Sequence, residues 1–386
     1  FNADITLNIT STVINKPVPG LALQINGNNK VLSGDNKYRG FEITPNTRVT
    51  ITKLTIISGK TDTSGGGILN YGTLTLNNSL LLSNSAPKGD GGGIYNAGSG
   101  TLTVNNSTFA SNSALFRGGG IYNEGTLTVV GSFSGNSAES GGGIMNNKTV
   151  QVNFSTFSDN KATNDGGGLY NNIDSTLTIS NSYVITNSGN KSGGGITNFG
   201  TLMVSNSTLS ANKATTNGGG IMNAGPLTVS NSTFSGNSAT GSGGGIMNAG
   251  PLTMSNSTIS GNLSGNGGGL YNTNKGTLTV SNSTLSDNKA TTNGGGILNG
   301  GALTLKNTII ANSAGGGDCV NEAGTITSQT NNLIESSGAT ACGINNSANS
   351  SIIGQDPALA PLGTGNGPQT HALLATSPAI DKGDAA

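Results

Sequence analysis

The sequence predicts an all-β chain: a single right-handed parallel β-helix of about fourteen coils, with three short strands per coil. Three observations predict it. A unit typified by Gly218 to Asn237, GGGIMNAGPLTVSNSTFSGN, recurs along most of the chain. Its triple glycines begin at Gly65, Gly91, Gly118, Gly141, Gly166, Gly193, Gly218, Gly243, Gly267 and Gly294, with starts 23 to 27 residues apart, a period typical of stacked repeats. No unit has room for a helix of about 11 residues beside its apolar runs. Finally, superposing the units puts like residues in register, as stacking of each strand on its copies requires.

Each unit is read as three strands separated by Gly, Asn and Ser. The first is GGGI-x-N, whose apolar residues form the column Ile68, Ile94, Ile121, Ile144, Leu169, Ile196, Ile221, Ile246, Leu270 and Ile297. The second is T-L-T-V, with Leu102 and Val104 alternating with Thr101 and Thr103. The third is S-T-F-x-x-N, which gives the column Phe109, Phe133, Phe157, Leu209, Phe234, Ile259 and Leu285.

Asparagines recur in three further columns. Asn70, Asn96, Asn123, Asn146, Asn171, Asn198, Asn223, Asn248, Asn272 and Asn299 are expected to form a structural ladder, since stacked amides bond to one another and to turn backbone. A second column runs from Asn84 through Asn112, Asn136, Asn160, Asn187, Asn212, Asn237, Asn262 and Asn288 to Asn312. A third, Asn78, Asn106, Asn181, Asn206, Asn231, Asn256, Asn282 and Asn307, is interrupted by Gly131 and Phe154. The N-S-T triplets of this third column match glycosylation sequons, but stacking explains them more simply.

Three regions follow: residues 1–64 as irregular first coils, 65–312 as the regular solenoid, and 313–386 as C-terminal coils and a cap. Phe1 reads as a processed start, and the strand-like Ile5-Thr6-Leu7 suggests an N-terminal edge open to end-to-end pairing. Cys319 and Cys342 both follow the last regular coil and read as a structural disulfide, with two buried unpaired thiols as the alternative. Two Cys and the remote His371 suggest no metal, and no cofactor is expected.

The chain has 386 residues, 9% of them charged, and zero formal net charge. So sparse a charge argues against nucleic acid, which needs a clustered basic surface. No apolar run of about 18 residues is present, so no membrane span is expected in this chain.

GGGI followed by FxxN resembles the GGA(I/L/V) and FxxN repeats of the polymorphic outer-membrane protein family, and bacterial β-helix adhesins and autotransporter passengers. The tail, with Asn331-Asn332-Leu333-Ile334, Asp356-Pro357-Ala358-Leu359 and Ser377-Pro378-Ala379-Ile380-Asp381, resembles the C-terminal part of large exported β-helix proteins. The resemblance implies export and a secreted or cell-surface location.

Candidate sites are faces. If Ile and Asn of I-x-N point inward, x points outward, giving an apolar and aromatic stripe: Leu69, Tyr95, Tyr122, Met145, Tyr170, Thr197, Met222, Met247, Tyr271 and Leu298. An exposed stripe of this kind marks a contact surface; the alternative is that the side chains merely cover the sheet. Paired outward threonines such as Thr101 and Thr103 suggest an ice-binding face, but Gln151, Met203, Pro226, Pro251 and Ala302 break the array. Glycan hydrolysis needs paired carboxylates, and Asp90, Asp159, Asp165, Asp174 and Asp287 look scattered through turns.

The expectation is therefore a non-catalytic, exported structural protein. It would work in adhesion to a cell-surface glycan or host surface, or in self-assembly, end to end or lateral, into filaments or a sheath. A polysaccharide-binding or polysaccharide-cleaving β-helix and an ice-binding solenoid are the alternatives.

Overall fold

The computed structural model describes residues 1–8, 11–15, 21–345, 349–364 and 367–383. The chain forms two compact units, Phe1–Asn190 and Lys191–Ala386. Each is a parallel β-solenoid whose coils stack copy on copy.

The I-x-N strands build one wall. In the first unit seven strands stack in parallel, from Ser11–Ile14 and Arg39–Ile43 through Ile68–Asn70, Ile94–Asn96, Ile121–Asn123 and Ile144–Asn146 to Leu169–Asn171. In the second unit six do so, from Ile196–Asn198 to Cys319–Asn321. Register follows the sequence period: Ile94 lies against Ile68 and Ile121, and Ile246 against Ile221 and Leu270.

The expected second and third strands are two arms of one wall. Thr101–Ala110 carries both without a break, and Thr201–Ser205 and Thr208–Ser210 carry them separately. The hinge is the third asparagine column. Asn106, Asn206, Asn231 and Asn256 have φ between 46° and 48°, a left-handed conformation that asparagine tolerates better than other non-glycine residues. This corrects the reading of that column as a ladder: most of its members are exposed turn residues, although Asn307 Nδ2 does donate to Asn282 Oδ1 at 2.9 Å. The stacked hydroxyl ladder is one residue later, where Ser207 N–H donates to Ser232 Oγ (3.2 Å), Ser232 to Ser257 (3.1 Å) and Ser257 to Ser283 (3.1 Å).

The closing wall is a run of two-residue strands outside the three expected from the sequence, including Ser85–Ala86, Ser113–Ala114, Ser137–Ala138 and Lys161–Ala162, and in the second unit Lys213–Ala214 and Ser238–Ala239. The glycines that follow are needed sterically. Gly218 has φ +66°, and a Cβ on Gly220 would sit 2.6 Å from the Gly245 carbonyl of the next coil.

Inside, the apolar columns are buried. Phe109, Phe133 and Phe157 are fully buried and stack face to face at 4.6 and 4.7 Å. The first ladder is continuous within each unit: Asn70 Nδ2 donates to Asn96 Oδ1 (2.7 Å), Asn96 to Asn123 (2.7 Å) and Asn123 to Asn146 (3.0 Å). In the second unit it runs from Asn198 through Asn223, Asn248 and Asn272 to Asn299, then gains a rung at Asn321. The second ladder likewise links Asn84 to Asn112, Asn136, Asn160 and Asn187, and Asn212 to Asn237, Asn262 and Asn288. It does not take in Asn312. Leu285 pairs with Ile310 and Ser286 with Ala311, so Asn312 falls opposite Asp287 and Ser313 takes the ladder position.

At the C-terminal end Cys319 and Cys342 form a disulfide. Beside it the buried Asp318 carboxylate accepts from the backbone N–H of Ser313 and Ser336. Beyond, the antiparallel strands Leu359–Leu362 and His371–Leu373 fold back over the S-T-F arm of the second unit. Thr233 Oγ1 meets both the carbonyl and the N–H of Gln369 (2.9 and 2.6 Å), and His371 Nε2 lies 2.9 Å from Ser260 Oγ.

Candidate functional site

The x column of I-x-N was expected to be an exposed stripe. The structure corrects this. Leu69, Tyr122, Met145 and Leu298 are buried, and Tyr95, Tyr170, Met222, Met247 and Tyr271 are half-buried. The residues do face away from the Ile and Asn columns, but neighbouring side chains roof them. The arrangement is clearest in the first unit.

Tyr95 and Tyr122 occupy adjacent coils in register, with ring centroids 5.1 Å apart and planes tilted by 54°. Both hydroxyls donate to the Glu124 carboxylate, at 2.6 and 2.9 Å. Asn147 Nδ2 donates to the Tyr122 oxygen at 2.6 Å. The Arg117 guanidinium lies 4.5 Å above the Tyr122 ring, a cation–π contact, and grips Asp90 with Nε and Nη2 at 3.0 and 2.8 Å. Such bidentate pairing fixes the guanidinium plane.

The electrostatics follow. Burial first, then the bond to Glu124, pushes the Tyr95 phenol well above its ordinary value. Burial also raises Tyr122, against the opposing charge of Arg117. The Tyr170 phenol is raised by burial and by the negative charge of Asp165.

Beside this cluster lies an open groove of about 410 Å³, lined by Phe116, Arg117, Glu139, Ser140, Met145 and Tyr170. Phe116 is 44% exposed, and Glu139 stands at the surface with one carboxylate oxygen accepting from Asn164. Of the acids that look scattered in the sequence, Asp90 and Asp165 border this patch, together with Glu124 and Glu139. Their sequence signal is the corner itself: Asp90, Arg117 and Asp165 stand one residue before a GGG, and Phe116 and Glu139 two residues before one.

The solenoid geometry can be set against known repeats. Residues 154–172, 231–249 and 282–300 match the Chlamydia polymorphic membrane protein repeat. These three segments are similar to that repeat. Each matched segment runs from the left-handed hinge through the second ladder asparagine and the glycine corner to I-x-N, so the matched unit is the turn of the coil. Among curated proteins and solved structures nothing matches the chain. Among the described residues no helix is long and apolar enough to cross a membrane.

Proposed function

We propose that this protein is a surface-displayed β-solenoid that works in adhesion, with the tyrosine and acidic patch of the first unit as its contact site. The observation that carries this reading is the patch itself: aromatic rings held in fixed orientation by Glu124, Asp90 and Asn147 beside an open groove. Rings fixed before contact lose little conformational entropy on binding, which favours affinity per unit area. The repeat type supports display at a cell surface. Nothing in the patch arranges a nucleophile and base around a reacting atom, so a binding role fits better than a chemical one.

The test is adherence of beads coated with the purified chain to cultured host-type cells. Wild-type beads are expected to adhere, and beads carrying Phe116→Ala with Tyr170→Ala to adhere several-fold less. Equal adherence of both, or none by wild type, sinks the reading.

A further inference from the structure

We propose that the closing wall of the second unit binds a sulfated polysaccharide along the column Lys213, Ser238, Leu263 and Lys289. The site belongs to the second unit, uses no residue of the tyrosine patch and does not rest on the adhesive reading.

Register builds the column. Lys213 pairs with Ser238, Ser238 with Leu263 and Leu263 with Lys289 in consecutive coils. Their strand neighbours Ala214, Ala239, Ser264 and Ala290 are buried, so by alternation the four column residues face outward. Two lysines thus stand three coil steps apart, roughly 14 Å at the backbone, in one column along the solenoid axis. Between them lies an open groove of about 400 Å³, with Thr240 and Thr291 in its lining and Leu263 43% exposed. A trough that crosses several coils suits a linear chain better than a compact ion.

Charge selects an anion. Residues 191–312 hold five lysines and one acid, Asp287. The closing-wall stretches 213–217, 238–242, 263–266 and 289–293 contain no Asp or Glu. Asp287 precedes Lys289 by two residues, but its carboxylate accepts from Ser286 Oγ and lies 3.7 Å from His371 Nε2. Glu322 meets the wall at Asn293, whose Nδ2 donates to it at 3.1 Å. Among the described residues neither Lys213 nor Lys289 forms an ion pair, and the hydroxyls of Ser238, Thr240 and Thr291 bond to nothing within the chain.

These ammoniums and hydroxyls can donate to sulfate oxygens and sugar hydroxyls, while Leu263 offers an apolar surface to the C–H face of a sugar ring. Nucleic acid fits less well: the groove lining holds no aromatic ring for bases to stack on, and phosphate backbones call for denser basic charge. An acidic peptide cannot add as a strand, because Ser238–Ala239 and Leu263–Ser264 are already paired on both sides.

The experiment titrates dextran sulfate, and unsulfated dextran of equal length, into the full chain by calorimetry at 0.05 M salt. Dextran sulfate is expected to bind and dextran to fail. Raising the salt to 0.5 M should weaken binding at least about fivefold, as charges at the surface become screened. Lys213→Gln and Lys289→Gln should each weaken it about two- to fivefold, and the double variant about tenfold. Lys275→Gln removes a charge from the turn between Leu270–Asn272 and Thr277–Ser281, outside the column, and should leave affinity unchanged. All three lysines are exposed, so the variants should keep the wild-type melting temperature, which separates lost binding from lost folding. No binding of dextran sulfate, equal binding of dextran, or unchanged affinity in both column variants overturns the proposal. So does a loss with Lys275→Gln as large as with Lys213→Gln, or equal displacement by single-stranded DNA or polyglutamate. If dextran sulfate binds as expected while coated beads fail to adhere to cells, this site stands and the adhesive reading falls; the converse result removes this site alone.

Discussion

Phe154 shows how strictly one residue is constrained by the coil. It sits at the hinge column with φ 45° and is 68% exposed, where Asn occupies most other coils. A left-handed conformation costs an ordinary L residue about 1–2 kcal/mol, and asparagine tolerates it better. Phe154→Asn is therefore expected to stabilise the fold by about 0.5–1 kcal/mol, seen as a higher melting temperature; a lower one would mean that the exposed ring packs usefully. The phenols make a second residue-scale prediction. Tyr95, Tyr122 and Tyr170 are raised from the ordinary 10.0, so the fold favours their neutral forms. That contribution to stability is fully present below the ordinary phenol range and is lost as pH rises toward the raised values. Absorbance titration at alkaline pH should show a late class of tyrosines that ionises with, or just before, unfolding. A single early transition for all seven tyrosines would contradict the burial of the pair.

At the scale of the element, the ladders decide which coils tolerate change. Asn136 Oδ1 accepts from both the backbone N–H and the side chain of Asn112, and its own Nδ2 donates to the Phe109 carbonyl and to Asn160. All four bonds are buried, so Asn136→Ala leaves several polar groups without partners, each costing about 1–3 kcal/mol. We expect a loss of about 3 kcal/mol or more, read by a fall in the denaturation midpoint and faster hydrogen exchange in the flanking coils. An effect below about 1 kcal/mol would mean that water enters and replaces the amide. The third asparagine column had to be corrected at this same scale. Hinge and ladder are neighbours in the N-S-T triplet, and a period alone cannot tell which of two adjacent residues turns the chain and which stacks.

At the scale of the whole molecule, a solenoid is held by contacts between neighbouring coils, so perturbations should stay local. The Cys319–Cys342 disulfide closes a separation of 23 residues, for which chain entropy suggests a contribution of about 3 kcal/mol. Reduction is expected to speed hydrogen exchange around residues 317–345 and to leave Thr101–Ala110 unchanged. Acceleration spread over both units would contradict nearest-neighbour stability.

The parallel β-solenoid, its apolar columns and its first asparagine ladder were legible in the sequence alone, because a fixed period forces each residue onto its own copy 23 to 27 positions away. The end of the second ladder at Asn288, the two-residue closing wall and the fold-back of His371 onto Ser260 were not. Each depends on a local shift of register or on a contact far longer than the repeat. The patch was decided by tertiary structure in the same way. Asp90, Arg117 and Asp165 share the column just before the GGG corner and Phe116 and Glu139 the one before it, but Glu124 and Tyr170 lie elsewhere in the coil, and only the turning of successive coils around a common corner brings these side chains together. The period determined what stacks, and the corners determined what meets outside the stack.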